Sequence, residues 1–228
     1  MSRRKVSRWI TFVWGMAAFA LVASGSMLMT AAPVSAEGYI AGFAGWSLPQ
    51  KFDNVTTTQA NQPVPGFPAG SSVSQLSLTQ SLMYGLKAGY YLNSLRFLGI
   101  EGEVYTNTPN FRQQGVQING TGAGTIQGQD IRIITYGANV MLRVPGERLQ
   151  PYVGIGPALF QAIQTFDNKS NDSSTRLGLN VETGMRWLLT KHFMLFGEYK
   201  YNYARFHFEA LAGDYRSHNL IAGIGWNF

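Results

Sequence analysis

The stretch His218-Asn219-Leu220-Ile221-Ala222-Gly223-Ile224-Gly225-Trp226-Asn227-Phe228 decides how the rest of the chain is read. Leu220, Ala222, Ile224, Trp226 and Phe228 share one face of an extended strand, while Asn219, Gly223, Gly225 and Asn227 hold most of the other. A strand that ends on its apolar face with an aromatic residue suits the last strand of a transmembrane β-barrel. Lipid covers the apolar face there, and the first strand takes up the open edge.

The opposite end carries the pattern of a secretion signal. Arg3, Arg4, Lys5 and Arg8 precede a largely apolar stretch from Trp9 to Ala23, and Val34-Ser35-Ala36 offers small residues for a signal peptidase. The apolar run is short for a bilayer-spanning helix. The expected organisation is a signal peptide over 1–36 and one barrel domain over 37–228.

Removing that leader changes the charge argument. Of the 18 basic residues in the chain four lie before Glu37, leaving 14 against 12 acidic ones, a formal +2 in place of +6. So small a surplus gives no footprint for nucleic acid. The absence of cysteine excludes disulfides and thiolate metal sites.

Alternation places the remaining strands. Gly38 to Trp46 opens the series, followed by Ser77 to Leu92, Arg96 to Thr106, Gln129 to Val144, Gln150 to Ala162, Ser174 to Leu189 and a strand after Thr190-Lys191-His192. With the terminal strand these make eight, and an even number lets the first and last meet antiparallel. Pro157 requires a bulge or a missing hydrogen bond in the fifth. Connections alternate in length: Ser47 to Leu76, Pro109 to Gly128, Ile163 to Ser173 and Glu209 to Ser217 are long, whereas those near Asn93, Gly146 and Lys191 are short. In an outer-membrane barrel the long set faces outward and the short set faces the periplasm.

The fold class expected is therefore all-β, an eight-stranded antiparallel up-and-down transmembrane barrel behind a signal peptide. The same parity puts Lys87, Arg143, Arg186 and Lys200 on inward faces with Glu101, Glu103, Glu182 and Glu198. Four charges of each sign satisfy one another in a narrow lumen, whereas Lys or Arg on the lipid face would cost about 2–4 kcal/mol near the midplane. A soluble barrel of lipocalin type would have the inverse pattern, apolar inside and polar outside. Tyr90, Trp187, Trp226 and Phe228 near the short turns, with Tyr201 and Tyr203 toward the loops, supply two aromatic girdles.

Several short runs carry a family likeness. Gly85-Leu86-Lys87-Ala88-Gly89-Tyr90, Phe97-Leu98-Gly99-Ile100-Glu101, Leu149-Gln150-Pro151-Tyr152-Val153-Gly154 and Glu198-Tyr199-Lys200-Tyr201, with the closing strand, resemble the small OmpA-type outer-membrane β-barrel proteins. The resemblance spans essentially the whole chain after the leader. It implies a place in the outer membrane of a Gram-negative bacterium, with outer-membrane lipids and lipopolysaccharide around the barrel. It also implies periplasmic chaperones and the barrel assembly machinery as assembly partners, Trp226 and Phe228 being the assembly signal. The expectation is of a membrane barrel alone, with no peptidoglycan-binding domain after it.

Three functions fit in descending order. A structural or surface-interaction barrel with an ion-paired, plugged lumen leads, because eight strands leave an interior that side chains fill. A narrow porin-like channel for small solutes follows, with glycines beside the charges leaving space. A lipid-modifying enzyme comes last: Ser217-His218 invites attention, but neighbours on a strand point to opposite faces. His192, His207 and His218 are read as structural or surface groups, and no catalytic, cofactor or metal residue is assigned. No phosphate-binding loop appears, and the surface ligand is left open.

Overall fold

The computed structural model describes residues 37–58, 68–126, 128, 130–165, 171–209 and 211–228; the expected leader lies outside the described residues. Its strands are β1 (Glu37–Pro49), β2 (Asp53–Thr57), β3 (Ser81–Tyr91), β4 (Leu98–Asn107), β5 (Gln114–Ile118), β6 (Thr121–Ile126), β7 (Asp130–Arg143), β8 (Leu149–Thr165), β9 (Asn171–Leu188), β10 (Phe193–His207) and β11 (Leu211–Asn227). Eight of them run in the order β1-β3-β4-β7-β8-β9-β10-β11, and β1 pairs with β11 to close the ring. That seam runs from Tyr39 opposite Asn227 to Pro49 opposite Ser217. Closure satisfies every wall strand on both edges, the condition for crossing a bilayer with strands.

Burial follows the two-residue period. Along β10, Met194, Phe196, Glu198, Lys200, Asn202, Ala204 and Phe206 are buried, with less buried residues between them. Lys200 is 0% exposed while Leu177 on the neighbouring strand is 71% exposed. That inversion excludes the soluble barrel, since the outward faces carry Leu86, Ile100, Leu177 and Ile224 with no protein layer over them. Hydrocarbon is the partner such a surface needs.

The connections depart from expectation in two ways. In the segments read as long loops at Ile163 to Ser173 and Glu209 to Ser217, the described residues are largely strand. β8 and β9 stay paired to Thr165 opposite Asn171, and β10 and β11 to His207 opposite Ala212. Beyond the apolar band the outward residues turn polar, as at Ser173, Thr175, Arg205 and His207, so the alternation that marks a lipid-facing strand is lost.

The other two long connections contain strands of their own. β2 pairs with β11 where β1 has ended, from Leu211 opposite Thr57 to Asp214 opposite Asp53. β5 and β6 form a hairpin turning at Asn119 and Gly120, whose φ of 50° and 81° suit a two-residue turn with both residues left-handed. Bridges Phe52 to Leu76, Val73 to Ile118 and Leu78 to Phe111 knit these segments together. At Pro157 the register against β7 is the same on either side, with Gly137 opposite Ala158 and Val140 opposite Ile155, while the pairs between drop out. The proline thus removes a bond without inserting a bulge.

Candidate functional site

The lumen is filled in stacked layers. Nearest the short turns, Arg143 on β7 donates to Glu37 Oε1 at 2.7 Å, to Gln150 Oε1 at 3.0 Å and to the Arg96 carbonyl at 2.9 Å. Its second terminal nitrogen pairs with the other Glu37 oxygen. The guanidinium also lies 3.8 Å from the Tyr91 ring centre. Arg186 stacks similarly over Tyr39, at 3.9 Å, and reaches Glu101 at 3.6 Å.

The central layer holds the other charges. Lys87 donates to Glu198 Oε2 at 2.5 Å and to Glu101 Oε1 at 3.4 Å. Lys200 pairs with Glu103, with Glu182 at 2.8 Å and with Glu198 at 3.4 Å. Tyr39 donates to Glu101, and Tyr152 donates to Glu198 at 2.5 Å. The wall leaves room for these groups at two glycines. A Cβ on Gly137 would stand 2.9 Å from Glu103 Oε1, and one on Gly154 would stand 2.8 Å from Glu182 Oε1.

All eight residues that parity assigns to the interior are buried: Lys87, Glu101, Glu103, Arg143, Glu182, Arg186, Glu198 and Lys200. Seven of them join one network around Lys87 and Lys200, and Arg143 stands apart with Glu37. Glu37 is the residue the inward count omits. It lies ahead of the first alternating residues, so parity gave no sign of it, and it makes five carboxylates against four cations.

Two further layers were not read from the sequence. Above the ions an amide ladder runs across the barrel: Asn219 donates to Asn202 at 2.7 Å, Asn202 to Asn180 at 2.9 Å and Asn180 to Asn139 at 3.1 Å. Asn180 and Asn139 also donate downward to Glu103, at 2.5 and 3.3 Å. Beside the ladder Asn107 joins Ser47 and Tyr215.

The outer layer is apolar. Phe52, Val55, Val73 and Leu76 from the first long connection meet Phe111, Val116 and Ile118 from the second. They pack over Ile131, Ile133, Phe160, Phe206 and Tyr215 of the wall. The loops thus fold onto the barrel as a lid.

Trp226 and Phe228 face outward at the opposite end. Phe228 exchanges backbone bonds with Gly38, at 2.9 and 3.2 Å, and its ring covers the bare Gly38 α-carbon, where a Cβ would come within 2.5 Å. Trp226 stacks on His192 at 5.1 Å and meets Phe193 edge-on at 4.7 Å. Among the other histidines, His218 bonds Tyr199 at 2.5 Å and Gln50 at 2.7 Å on the outer wall. Ser217 beside it points inward to Asn202 and Asn219, so the adjacent pair cannot act together. The carboxylate oxygens of Glu101, Glu103 and Glu182 come within 4.8 Å of one another, and the cation set against Glu103 and Glu182 is the Lys200 ammonium.

A closed eight-stranded ring with an apolar exterior and an ionic interior defines a small transmembrane barrel of the outer-membrane class. The chain belongs to the outer membrane protein β-barrel domain family, which it matches over residues 17–228. No curated protein matches it in sequence. Among solved structures it is similar to Neisserial surface protein A, at 18% identity and a TM-score of 0.57, over 84% of this chain and 97% of that one. OprG of Pseudomonas aeruginosa is similar at 18% identity and 0.56, over 84% and 95%. Ail, the attachment invasion locus protein of Yersinia pestis, solved with the heparin analogue sucrose octasulfate, is similar at 14% and 0.50, over 85% and 99%. At these identities the likeness is one of fold.

Proposed function

We propose that this outer-membrane barrel serves as a structural and surface-interaction protein, its lumen closed and its loop end presented outward. The observation that carries this reading is the stacking of ionic, amide and apolar layers across the interior. A conducting path would have to break ion pairs and displace the lid together. Planar-bilayer recording of the purified folded barrel tests it: only rare or unresolved openings are expected, and a reproducible, well-populated open state would refute the closed lumen.

The same reading includes processing after Ala36, which makes 37–228 the working domain, and kinship with the OmpA-type proteins, supported by the short runs from Gly85 to Tyr201. Trp226 and Phe228 act as the assembly signal for the barrel assembly machinery after periplasmic chaperones deliver the chain. Lipopolysaccharide is the expected neighbour on the loop side. Tyr201 and Tyr203 support this, with Arg216 5.7 Å from the Tyr203 ring on the outward wall. Amino-terminal sequencing of the membrane-extracted protein should begin at Glu37, and deletion of Phe228 should lower the yield of membrane-inserted barrel.

A further inference from the structure

The central ion network is not neutral. Apart from the Arg143–Glu37 pair at the mouth, the described lumen sets Lys87, Arg186 and Lys200 against Glu101, Glu103, Glu182 and Glu198, three cations against four carboxylates. A surplus charge in a closed low-dielectric interior is unfavourable unless something compensates it.

Hydrogen bonding locates the surplus. Glu101 takes Tyr39 and Lys87 as donors, with Arg186 close by. Glu198 takes Lys87 and Tyr152. Glu103 takes Lys200, Asn139 and Asn180. Glu182 has only the ammonium of Lys200, already bonded to Glu103, at 2.8 Å from Oε2. The Lys200 contact is an ion pair without hydrogen-bond alignment, so that neither Glu182 oxygen accepts a hydrogen bond; the residue is 1% exposed, and Glu198 Oε1 is the one other carboxylate oxygen of the network left so. Oε1 turns to the bare backbone of Gly154.

From this we infer that Glu182 holds one bound monovalent cation, a proton or an alkali-metal ion, which neutralises the network. Among the described residues, the groups facing it add no positive charge beyond the three cations already counted. β10 supplies Lys200 and Glu198, β3 supplies Lys87, β4 supplies Glu101 and Glu103, and β8 supplies the Tyr152 hydroxyl.

The test compares two near-isosteric variants of the full barrel, Glu182→Gln and Glu103→Gln, in micelles and in liposomes. Thermal midpoints are read from the mobility shift between folded and heated forms. Glu182→Gln should melt at or above the wild type, because it removes the surplus, while Glu103→Gln should melt lower, because it takes a partner from Lys200. Two wild-type arms then identify the cation. A lower midpoint when sodium or potassium is replaced by a bulky organic cation at equal ionic strength assigns an alkali ion. A carboxylic-acid infrared stretch absent from Glu182→Gln, with no dependence on cation identity, assigns a proton. The inference is overturned if Glu182→Gln melts as low as Glu103→Gln or fails to fold, or if the wild type shows neither signature. Bilayer conductance bears on the closed-lumen reading and is measured separately.

Discussion

The two halves of the lumen are closed by opposite chemistries. The half near the short turns is shut by charges borne on strands, as in Arg143 with Glu37 and Lys200 with its carboxylates. The half near the loops is shut by Phe52, Leu76, Phe111 and their neighbours, carried largely on connections. Strand-borne groups are fixed in height and direction by the wall, so directional ion pairs can form with little loss of freedom. Loop segments have no such frame, and apolar packing, which is non-directional, is the interaction that can order them.

The largest effect should come from the ionic half. Lys200→Met leaves its carboxylate partners without their shared cation, and breaking a buried pair from one side costs about 3–5 kcal/mol. Equilibrium unfolding in urea, followed by the shift in gel mobility, should show a loss of that size; a loss below about 1 kcal/mol would mean that the network contributes little. In the apolar half, Phe52→Ala removes a ring packed edge-on against Phe111 at 5.7 Å. A loss of about 3 kcal/mol is expected, felt first as protease cleavage in the long connections while the wall stays intact. Equal protection of loops and wall would show that the lid and barrel unfold as one unit.

Smaller effects sharpen the contrast. Gly154→Ala would set a Cβ 2.5 Å from Met141 Sδ and 2.8 Å from Glu182 Oε1. Overpacking of this kind costs about 1–3 kcal/mol, read as a lower thermal midpoint with no change in loop proteolysis. Asn119→Ala, at a turn residue with φ of 50°, should loosen the β5–β6 hairpin by about 1 kcal/mol, seen as faster amide exchange there alone. Because Lys200 and Phe52 share no partner, the Lys200→Met/Phe52→Ala double variant should be additive within about 0.5 kcal/mol. Coupling well beyond that would dissolve the division into two halves.

The ionic half was largely legible in the sequence and the lid was not. Along β4, β9 and β10 the charged residues within the apolar band share the parity of an inward face, so a two-residue period suffices to find Glu101, Glu182 and Lys200. Glu37 escapes because it precedes the alternating run, and leaving it out is what makes the charges look balanced at four of each sign. Phe52, Val73 and Ile118 lie in segments without sustained alternation, where nothing local says that they meet over Phe160 and Phe206. The sequence understates the extended hairpins of β8–β9 and β10–β11 for a related reason: outside the bilayer an outward residue is polar, and the contrast between faces fades.

By itself the sequence determined the barrel, its eight wall strands, its apolar exterior and the inward side of every lumen charge but Glu37. It could do so because a strand assigns each residue to a face through local geometry alone. Only the tertiary structure decided which charges meet, which carboxylate is left without a neutral donor, and what closes the outer end. Those depend on the stagger and tilt that set the heights of residues on separate strands, and on loops folding back across the ring. Neither is written in any one segment.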